Sequence, residues 1–230
     1  MDFELWTLDL YSFVVPVLSY ILTALGAYLL GSIPTGFLVA KAKGIDIRSV
    51  GSGNIGATNA MRVLGKPAGI AVLVMDAAKG FIAVSFLIEM VTFWVYPQVP
   101  GEDEFCINLQ IFAGIFVVLG HNYTCWLKFK GGKGIATTAG VYLALAPWAV
   151  LVGLVVFILA VLLTKYVSVG SIAAAIALPA TVWIMSPQNL FLGIVTTALG
   201  ALAVYKHKSN IQRLMAGTEN RLGQKKQEAK

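Results

Sequence analysis

The chain contains few charged residues and few cysteines. Charged residues make up 12% of its 230 residues, whereas a soluble globular domain usually carries about 25%. This composition excludes an ordinary water-soluble domain with a charged surface. The two cysteines, Cys106 and Cys125, are predicted to lie at opposite ends of one helix, too far apart for a disulfide. Because no C-x-x-C or similar spacing occurs, we predict neither a metal site nor a cofactor.

Hydrophobic residues are abundant instead, at 58% of the sequence. They form runs of about 20 residues, the length at which a helix spans a bilayer. We therefore predict an all-α integral membrane protein with seven transmembrane helices, one or more of them short or partial. The predicted spans are residues 11–40, 68–95, 107–127, 135–146, 148–164, 168–185 and 190–205. Pro34 is expected to kink the first span. The fourth run is short for a full crossing.

The charge distribution predicts the orientation of these spans. The net charge of +6 comes from Lys and Arg in the loops on one side, as the positive-inside rule expects. Seven crossings then place the N-terminus outside and the C-terminus in the cytoplasm. The acidic residues predicted outside are Asp2, Glu4, Asp9, Glu89, Glu102, Asp103 and Glu104. The lipid bilayer is thus the expected partner, with neither a nucleic acid nor an obligate protein partner. We predict one membrane domain over residues 1–219 and a disordered hydrophilic tail over 220–230.

The first polar cluster follows the first span and is rich in glycine. Its residues are Gly51, Ser52, Gly53, Asn54, Gly56, Thr58 and Asn59, with Arg62 close behind. Glycines allow tight turns, and small polar side chains and backbone N–H groups can converge on an anion. A guanidinium can grip phosphate through its planar fork. The glycines also match G-x-G-x-x-G, but no strand precedes them and no βαβ unit surrounds them, which argues against a dinucleotide site.

The second polar cluster joins the third and fourth spans. Gly131, Gly132, Lys133 and Gly134 offer bare backbone N–H groups beside an ammonium, which is a good point charge for phosphate. Lys133 is alternatively one more positive-inside anchor. We interpret His121 as structural, orienting this loop through a hydrogen bond.

Two further groups of polar residues stand out. His207 and Asn210 are three residues apart and share a helix face if the last span continues; an interfacial histidine is the alternative. Glu219 is expected to pair with loop cations or to cap the tail. Asp76 and Lys79 can meet on one face of the second span, and we interpret them as a buried pair rather than a catalytic unit.

Four groups of motifs, in this order, resemble the bacterial acyl-phosphate:glycerol-3-phosphate acyltransferase family. They are Gly31-Ser32-Ile33-Pro34, then Asp46-Ile47-Arg48 with Gly51 to Asn59, then Gly120-His121 with Phe129 to Gly134, and last His207 to Arg213 with Gly217-Thr218-Glu219. The motifs extend over nearly the whole chain. A longer N-terminus, a longer outside loop and a basic tail are the departures.

The resemblance implies a seven-helix enzyme of phospholipid synthesis in the bacterial inner membrane, with its active site facing the cytoplasm. Such an enzyme transfers a fatty acyl group from acyl phosphate to the sn-1 hydroxyl of glycerol 3-phosphate, giving lysophosphatidic acid and inorganic phosphate. Carried onto this chain, Ser52, Arg62, Lys133, His207 and Asn210 match the contacts to glycerol 3-phosphate. The glycine-rich loop of residues 51–59 matches the pocket for the phosphate of the donor.

Both substrates carry phosphate, so the site must neutralise several negative charges, and three convergent polar clusters suit that task. Acyl phosphate is already activated, so the protein has to orient the hydroxyl and stabilise the developing charge. Either His207 or a phosphate oxygen of the donor accepts the proton, and the resemblance favours the donor. The competing interpretations are a phosphate-ester transporter, which should show inverted repeats and polar groups at mid-membrane, and a lipid-binding structural protein, which would not need three such loops.

Overall fold

The computed structural model describes residues 3–95 and 104–223, with side chains from residue 14 onward. Asp2, Glu102, Asp103 and the side chains of Glu4 and Asp9 lie outside the described residues, as does most of the predicted tail, residues 224–230. Within the described ranges the chain forms α-helices and one short 3-10 helix, without a strand. The all-helical prediction is therefore confirmed. The residues divide into two compact units, Met1–Leu145 and Ala146–Lys230.

The first unit holds seven α-helices in its described part. They are α1 (Phe3–Ser32), α2 (Thr35–Lys41), α3 (Ala57–Leu64), α4 (Lys66–Val84), α5 (Phe86–Val95), α6 (Glu104–Asn122) and α7 (Ile135–Leu145), with the 3-10 helix at Cys125–Leu127. Pro34, where a kink was predicted, interrupts the helix altogether, because α1 and α2 are separate helices on either side of it. A second break occurs at Ser85, between α4 and α5, where the sequence has no proline or glycine that would predict it.

The short helix α3 was not predicted, because its sequence lies inside a polar, glycine-rich stretch. It begins after Gly56, which acts as its N-cap without a side-chain capping bond. One face of α3 is buried through Asn59 and Ala60, while Arg62 on the same helix is exposed. The helix packs against α4, so the C-terminal end of the polar loop is anchored.

Helix α7 is the short fourth run of the sequence. Its 11 residues reach roughly 16 Å at 1.5 Å per residue, about half of a 30 Å hydrocarbon core. Helix α7 packs closely on α4, with Gly80 of α4 against the Thr137 carbonyl. Small residues at such crossings let membrane helices approach backbone to backbone.

The second unit consists of α8 (Pro147–Thr164), α9 (Val167–Met185), α10 (Leu190–Lys206) and α11 (Lys208–Met215). Helix α9 packs against both α8 and α10. Pro147 stands in the first turn of α8, where its missing N–H costs nothing. Asn189 caps α10 by accepting a hydrogen bond from Leu192 N at 2.9 Å. The chain bends by 51° between α10 and α11.

The outer surface confirms a membrane protein. In the described residues, 5 helical segments are long and apolar enough to cross a bilayer, or up to 6 if α10 and α11 count as one span. Large apolar side chains face outward along these helices, with Leu163 83% exposed and Ile184 79% exposed. A water-soluble fold would bury such residues, so this surface fits contact with lipid. The fourth predicted span, residues 135–146, corresponds to the shorter apolar helix α7.

Candidate active site

The buried amide of Asn59 organises the first polar loop. Asn59 is only 1% exposed, and its Oδ1 accepts a hydrogen bond from Ser52 N at 2.8 Å. Its Nδ2 lies within donating distance of the carbonyl oxygens of Asn54 (2.9 Å), Val50 (3.1 Å) and Ile47 (3.3 Å). One side chain thus ties together backbone groups from three parts of the loop. The Asn59 amide is committed to the loop itself, so it shapes the predicted phosphate pocket rather than facing a ligand.

Close packing around this amide explains one of the glycines. Gly51 has a φ of +63°, and a Cβ on it would overlap the Asn59 Oδ1, so any larger residue would displace the amide. Two backbone N–H groups that were predicted to bind phosphate donate hydrogen bonds to side-chain oxygens of the protein instead. Ser52 N donates to Asn59, and Gly56 N donates to Asn54 Oδ1 at 2.8 Å.

The groups still available for an anion are side chains and the start of α3. Ser52 is half-buried, Thr58 and Arg62 are exposed, and the first turn of α3 receives no capping side chain. A helix start favours a negative ligand because its N–H groups point outward. Arg62 has no ion-pair partner among the described residues.

Arg48 on the same loop behaves differently, because Asp46 neutralises it. The guanidinium makes two hydrogen bonds to the Asp46 carboxylate, Nε to Oδ1 at 2.9 Å and Nη2 to Oδ2 at 2.7 Å. These bonds lower the pKa of Asp46 to about 2. The first polar loop therefore carries an arginine that is paired with a carboxylate, whereas Arg62 on the following helix α3 has no ion-pair partner among the described residues.

The second polar loop is tied to the end of α6. Gly132 N donates to the His121 carbonyl at 2.9 Å, and Gly131 N donates to the Asn122 carbonyl at 3.2 Å. The bond from His121 to this loop runs through its backbone carbonyl, and the orienting role predicted for its side chain stays a prediction. The expectation of bare N–H groups at Gly131 and Gly132 is wrong, since backbone carbonyls of α6 already accept them. Lys133 follows directly and is half-buried, just before α7 begins.

A small apolar core joins the two loops within the first unit. Its buried members are Ala40, Ile47, Ile55, Ala60, Val72 and Leu127. Ile47 and Ile55 belong to the first loop, Ala60 to α3, and Leu127 to the 3-10 helix of the second loop. Because these side chains pack together, the loops that carry Ser52, Arg62 and Lys133 are held on a common base.

In the second unit the Glu219 carboxylate is the centre of the third cluster. Its Oε1 accepts hydrogen bonds from Asn210 Nδ2 at 2.8 Å and Ser168 Oγ at 3.1 Å. Its Oε2 accepts from Arg213 Nε at 2.7 Å. Burial raises the pKa of Glu219, but the bonds from Asn210, Arg213 and Ser168 outweigh burial, so the pKa lies below its usual value. Glu219 therefore pairs with a cation, but the partner is Arg213 of helix α11 and not a loop cation as predicted.

His207 lies at the bend between α10 and α11 and is 3% exposed. Its Nδ1 lies 2.7 Å from the Ala203 carbonyl oxygen. Because a carbonyl only accepts, Nδ1 carries the proton in the neutral ring, and Nε2 is the basic nitrogen. Asn210 stands one turn further on, buried on α11. The predicted meeting of His207 and Asn210 with Ser52, Arg62 and Lys133 of the first unit stays a prediction.

Comparison with known proteins identifies the family. The family model described as glycerol-3-phosphate acyltransferase matches residues 21–217. The chain belongs to the glycerol-3-phosphate acyltransferase family. A glycerol-3-phosphate acyltransferase of Geotalea daltonii is 44% identical over 204 residues, covering 88% of this chain and 97% of that protein.

Two solved structures share the acyltransferase fold. Both are of PlsY (YgiH), an integral membrane glycerol 3-phosphate acyltransferase. Its glycerol 3-phosphate form is 40% identical with a TM-score of 0.77, covering 89% of this chain and 96% of that chain. Its lysophosphatidic acid form is 39% identical with a TM-score of 0.74, over the same shares of both chains. This family member is thus similar to a solved acyltransferase over most of its length.

Sequence reasoning about this acyltransferase missed two supporting residues. Ser168 and Arg213 both bond to Glu219, and for Ser168 nothing in the local sequence indicates this partner. Arg213 lies six residues before Glu219, and Ser168 lies 51 residues before it. The run of Asn210, Arg213 and Glu219 was a signal that a carboxylate and its donors belong together. The contact to α9 required the tertiary structure.

We expect Glu219→Gln to destabilise the second unit. One carboxylate oxygen becomes an NH2 group that cannot accept, so a bond from either Arg213 or Asn210 is lost at a cost of about 1.5–3 kcal/mol. The thermal midpoint in detergent should fall by several degrees, whereas Glu89→Gln, on an exposed residue of α5, should leave it unchanged. Equal midpoints for both variants would contradict this role.

The stabilisation by Glu219 is also expected to depend on pH. Its pKa in the folded protein is lowered, so the carboxylate stabilises fully above the unfolded pKa of about 4.3 and loses this effect as pH falls through the folded value. The difference in thermal midpoint between the wild type and Glu219→Gln should therefore narrow below about pH 4. A constant difference from pH 7 downward would contradict the assignment.

Proposed function

We propose that the protein transfers a fatty acyl group from acyl phosphate to the sn-1 hydroxyl of glycerol 3-phosphate, producing lysophosphatidic acid and inorganic phosphate. The observation that carries this proposal is the family match over residues 21–217, which includes every residue predicted to contact substrate. The solved relative with 40% identity is described in glycerol 3-phosphate and lysophosphatidic acid forms, which supports the same acceptor and product here.

Phosphate recognition falls to the two loops of the first unit. We assign the grip on phosphate to Arg62 and Lys133, supported by the exposed position of Arg62 and the placement of both loops on one apolar base. Arginine provides a planar fork and lysine a compact charge, so together they suit two phosphate groups. The Ser52 and Thr58 hydroxyls and the start of α3 supply neutral donors around them.

His207 and Asn210 are proposed to orient the glycerol hydroxyls. The Ala203 carbonyl fixes the proton on His207 Nδ1, so Nε2 has the character of a hydrogen-bond acceptor. Asn210 is held by Glu219 through Nδ2, so its carbonyl oxygen keeps one orientation. An alcohol aligned in this way attacks far more readily than one that tumbles.

The chemistry requires little covalent help from the protein. The sn-1 oxygen attacks the acyl carbon, a tetrahedral oxyanion forms, and the bond from the acyl carbon to the phosphate oxygen breaks. The hydroxyl proton passes to a phosphate oxygen of the donor, which leaves as inorganic phosphate. Positive groups near the departing phosphate stabilise the developing charge. No acyl-enzyme is needed in this scheme.

The proposed topology places this chemistry at the cytoplasmic face of the inner membrane. Seven crossings, with α7 as the short one, put the N-terminus outside and the C-terminus inside. The outward apolar surface of the long helices supports insertion in lipid. A membrane location suits the reaction, because the acyl chain can remain dissolved among the helices and lipid tails while the phosphate groups react at the surface.

Purified protein in detergent tests the reaction directly. Given acyl phosphate and glycerol 3-phosphate, it should release phosphate and form lysophosphatidic acid in equal amounts. Acyl-CoA in place of acyl phosphate should give no product. This control tests the identity of the acyl donor independently of that of the acceptor. Absence of phosphate release by folded protein, judged by a cooperative thermal transition, would overturn the proposed activity.

A further inference from the structure

Three ionisable residues that the proposed reaction does not use are buried together in the first unit. Asp76 and Lys79 lie on α4 and His121 near the end of α6, with exposed fractions of 2%, 4% and 6%. Lys79 Nζ is 2.9 Å from Asp76 Oδ1, and His121 Nδ1 is 3.6 Å from the same oxygen. We call these residues the buried triad. Buried charges are costly and contribute little net stability, and charges within a membrane protein usually serve a function.

The His121 side chain contacts the second polar loop. A Cβ on Gly132 would overlap His121 Nε2, so the Gly132 backbone rests against the edge of the imidazole. The His121 carbonyl also accepts the hydrogen bond from Gly132 N. Rotation of this ring would therefore displace Gly132, and Lys133 is the next residue.

The other end of the buried triad reaches the break between α1 and α2. Lys79 Nζ donates to the Ile33 carbonyl at 3.0 Å, immediately before Pro34. The triad thus connects α4 to the break after α1 and to the end of α6. Ser32 on α1 also donates to the Gly120 carbonyl, and Thr124 donates to the Ser32 carbonyl. The surroundings of His121 are consequently fixed from several helices.

We infer that Asp76 and Lys79 are positioning residues that hold the His121 ring, and through it hold Gly132 and Lys133 where the ammonium meets a substrate phosphate. The inference rests on the proposed function, since it assigns Lys133 to phosphate. Asp76 attracts the Nδ1 side of the ring, which sets Nε2 against Gly132. Lys79 balances the charge of Asp76, so the attraction persists without an unpaired buried anion.

The competing explanation is that the pair only stabilises the fold. The two explanations differ for the double substitution Asp76→Asn/Lys79→Met, which removes both charges while nearly preserving shape. Replacing a buried ion pair by neutral groups of similar volume is often neutral for stability. A pair that only stabilises the fold would leave the kinetics of the folded variant unchanged, whatever its effect on the thermal midpoint, whereas a positioning pair would impair the kinetics.

The experiment measures the thermal midpoint in detergent together with kcat and KM for both substrates. For Asp76→Asn/Lys79→Met we expect a normal midpoint and a kcat/KM lower by roughly 10- to 100-fold, as a misplacement of about 1 Å produces, mainly through a raised KM. Thr23→Val is the matched control, because it removes a buried polar group of the same unit whose hydroxyl has no hydrogen-bond partner among the described residues, and it should behave as the wild type.

A double-mutant cycle tests whether the effect passes through Lys133. If it does, adding Asp76→Asn/Lys79→Met to Lys133→Ala should cause no further loss, because the group being positioned is already absent. Additive losses would overturn the inference, as would wild-type KM values in the double variant. Where the double variant loses its thermal transition, His121→Gln, which keeps both charges, gives the same measurement, and wild-type KM values there overturn the inference equally.

The outcome for the proposed function is read separately. An inactive wild type would overturn the proposed reaction, and Lys133→Ala with wild-type kinetics would overturn both the phosphate role and the inference. If the wild type is active and Lys133→Ala is impaired but the triad variant is unaffected, only the inference is overturned, and the proposed reaction stands.

Discussion

Arg62→Ala and Lys133→Ala are each expected to reduce kcat/KM by at least about 100-fold, the scale of losing one electrostatic contact to a developing charge. The reason is that both substrates carry phosphate, and each substitution removes one cation from the proposed grip. Steady-state assays that vary acyl phosphate and glycerol 3-phosphate in turn will show which phosphate each residue serves. Arg62→Lys should recover only part of the loss, because an ammonium lacks the planar fork.

Arg48→Ala provides the matched control for Arg62→Ala. Arg48 is an arginine of the same polar region, but its charge is already paired with Asp46 at the surface. An exposed ion pair is worth at most about 1 kcal/mol, so the activity should change by less than about fivefold. Near-normal turnover in both Arg62→Ala and Lys133→Ala would show that the phosphate grip lies elsewhere.

Asn59→Asp hardly changes the shape of the side chain, but it is expected to disrupt the first polar loop. The substitution replaces the Nδ2 donor by an oxygen that faces the carbonyls of Ile47, Val50 and Asn54. An unpaired buried charge costs about 3–5 kcal/mol. Every 1.4 kcal/mol is a factor of ten in an equilibrium constant. The fraction of molecules with an ordered loop, and with it the activity, should therefore fall by roughly 100-fold or more.

Thermal unfolding and steady-state kinetics together check this second prediction. The midpoint should fall along with the activity, because Asn59 also anchors α3. Ser49→Ala removes a different hydrogen bond of the same loop, the one from Ser49 Oγ to the Asp46 carbonyl at an exposed site, and it should have little effect. Unchanged stability and turnover in Asn59→Asp would show that the amide is not the organiser of the loop.

The helices were largely predictable because hydrophobic length is a local property of the chain. Each predicted run corresponds to a helix or to a broken pair of helices, and the break at Pro34 follows from its missing N–H. Helix α3 was missed, since its polar residues lack the periodic apolar pattern on which such predictions depend. The break at Ser85 was missed for a similar reason, because no residue there is a strong helix breaker.

The candidate residues were recognised from their types, but their individual roles depend on distant partners. Asn59 and Gly132 looked like phosphate ligands because amides and bare N–H groups suit anions. In the fold, the Asn59 amide is used by its own loop, and Gly132 donates to His121. Residue spacing along the chain does not reveal such competition, since the competing acceptor comes from another helix.

By itself the sequence determined that this is an all-helical membrane acyltransferase with cationic, glycine-rich loops, because hydropathy and motif residues are carried by contiguous segments. Only the tertiary structure decided which of those polar groups are hydrogen-bonded inside the fold and so hold the loops in place. Long-range hydrogen bonds make that division: Ser168 to Glu219, Lys79 to the carbonyl of Ile33, and Gly132 to the carbonyl of His121. A polar group whose bonding capacity is already filled inside the fold is no longer available to bind substrate.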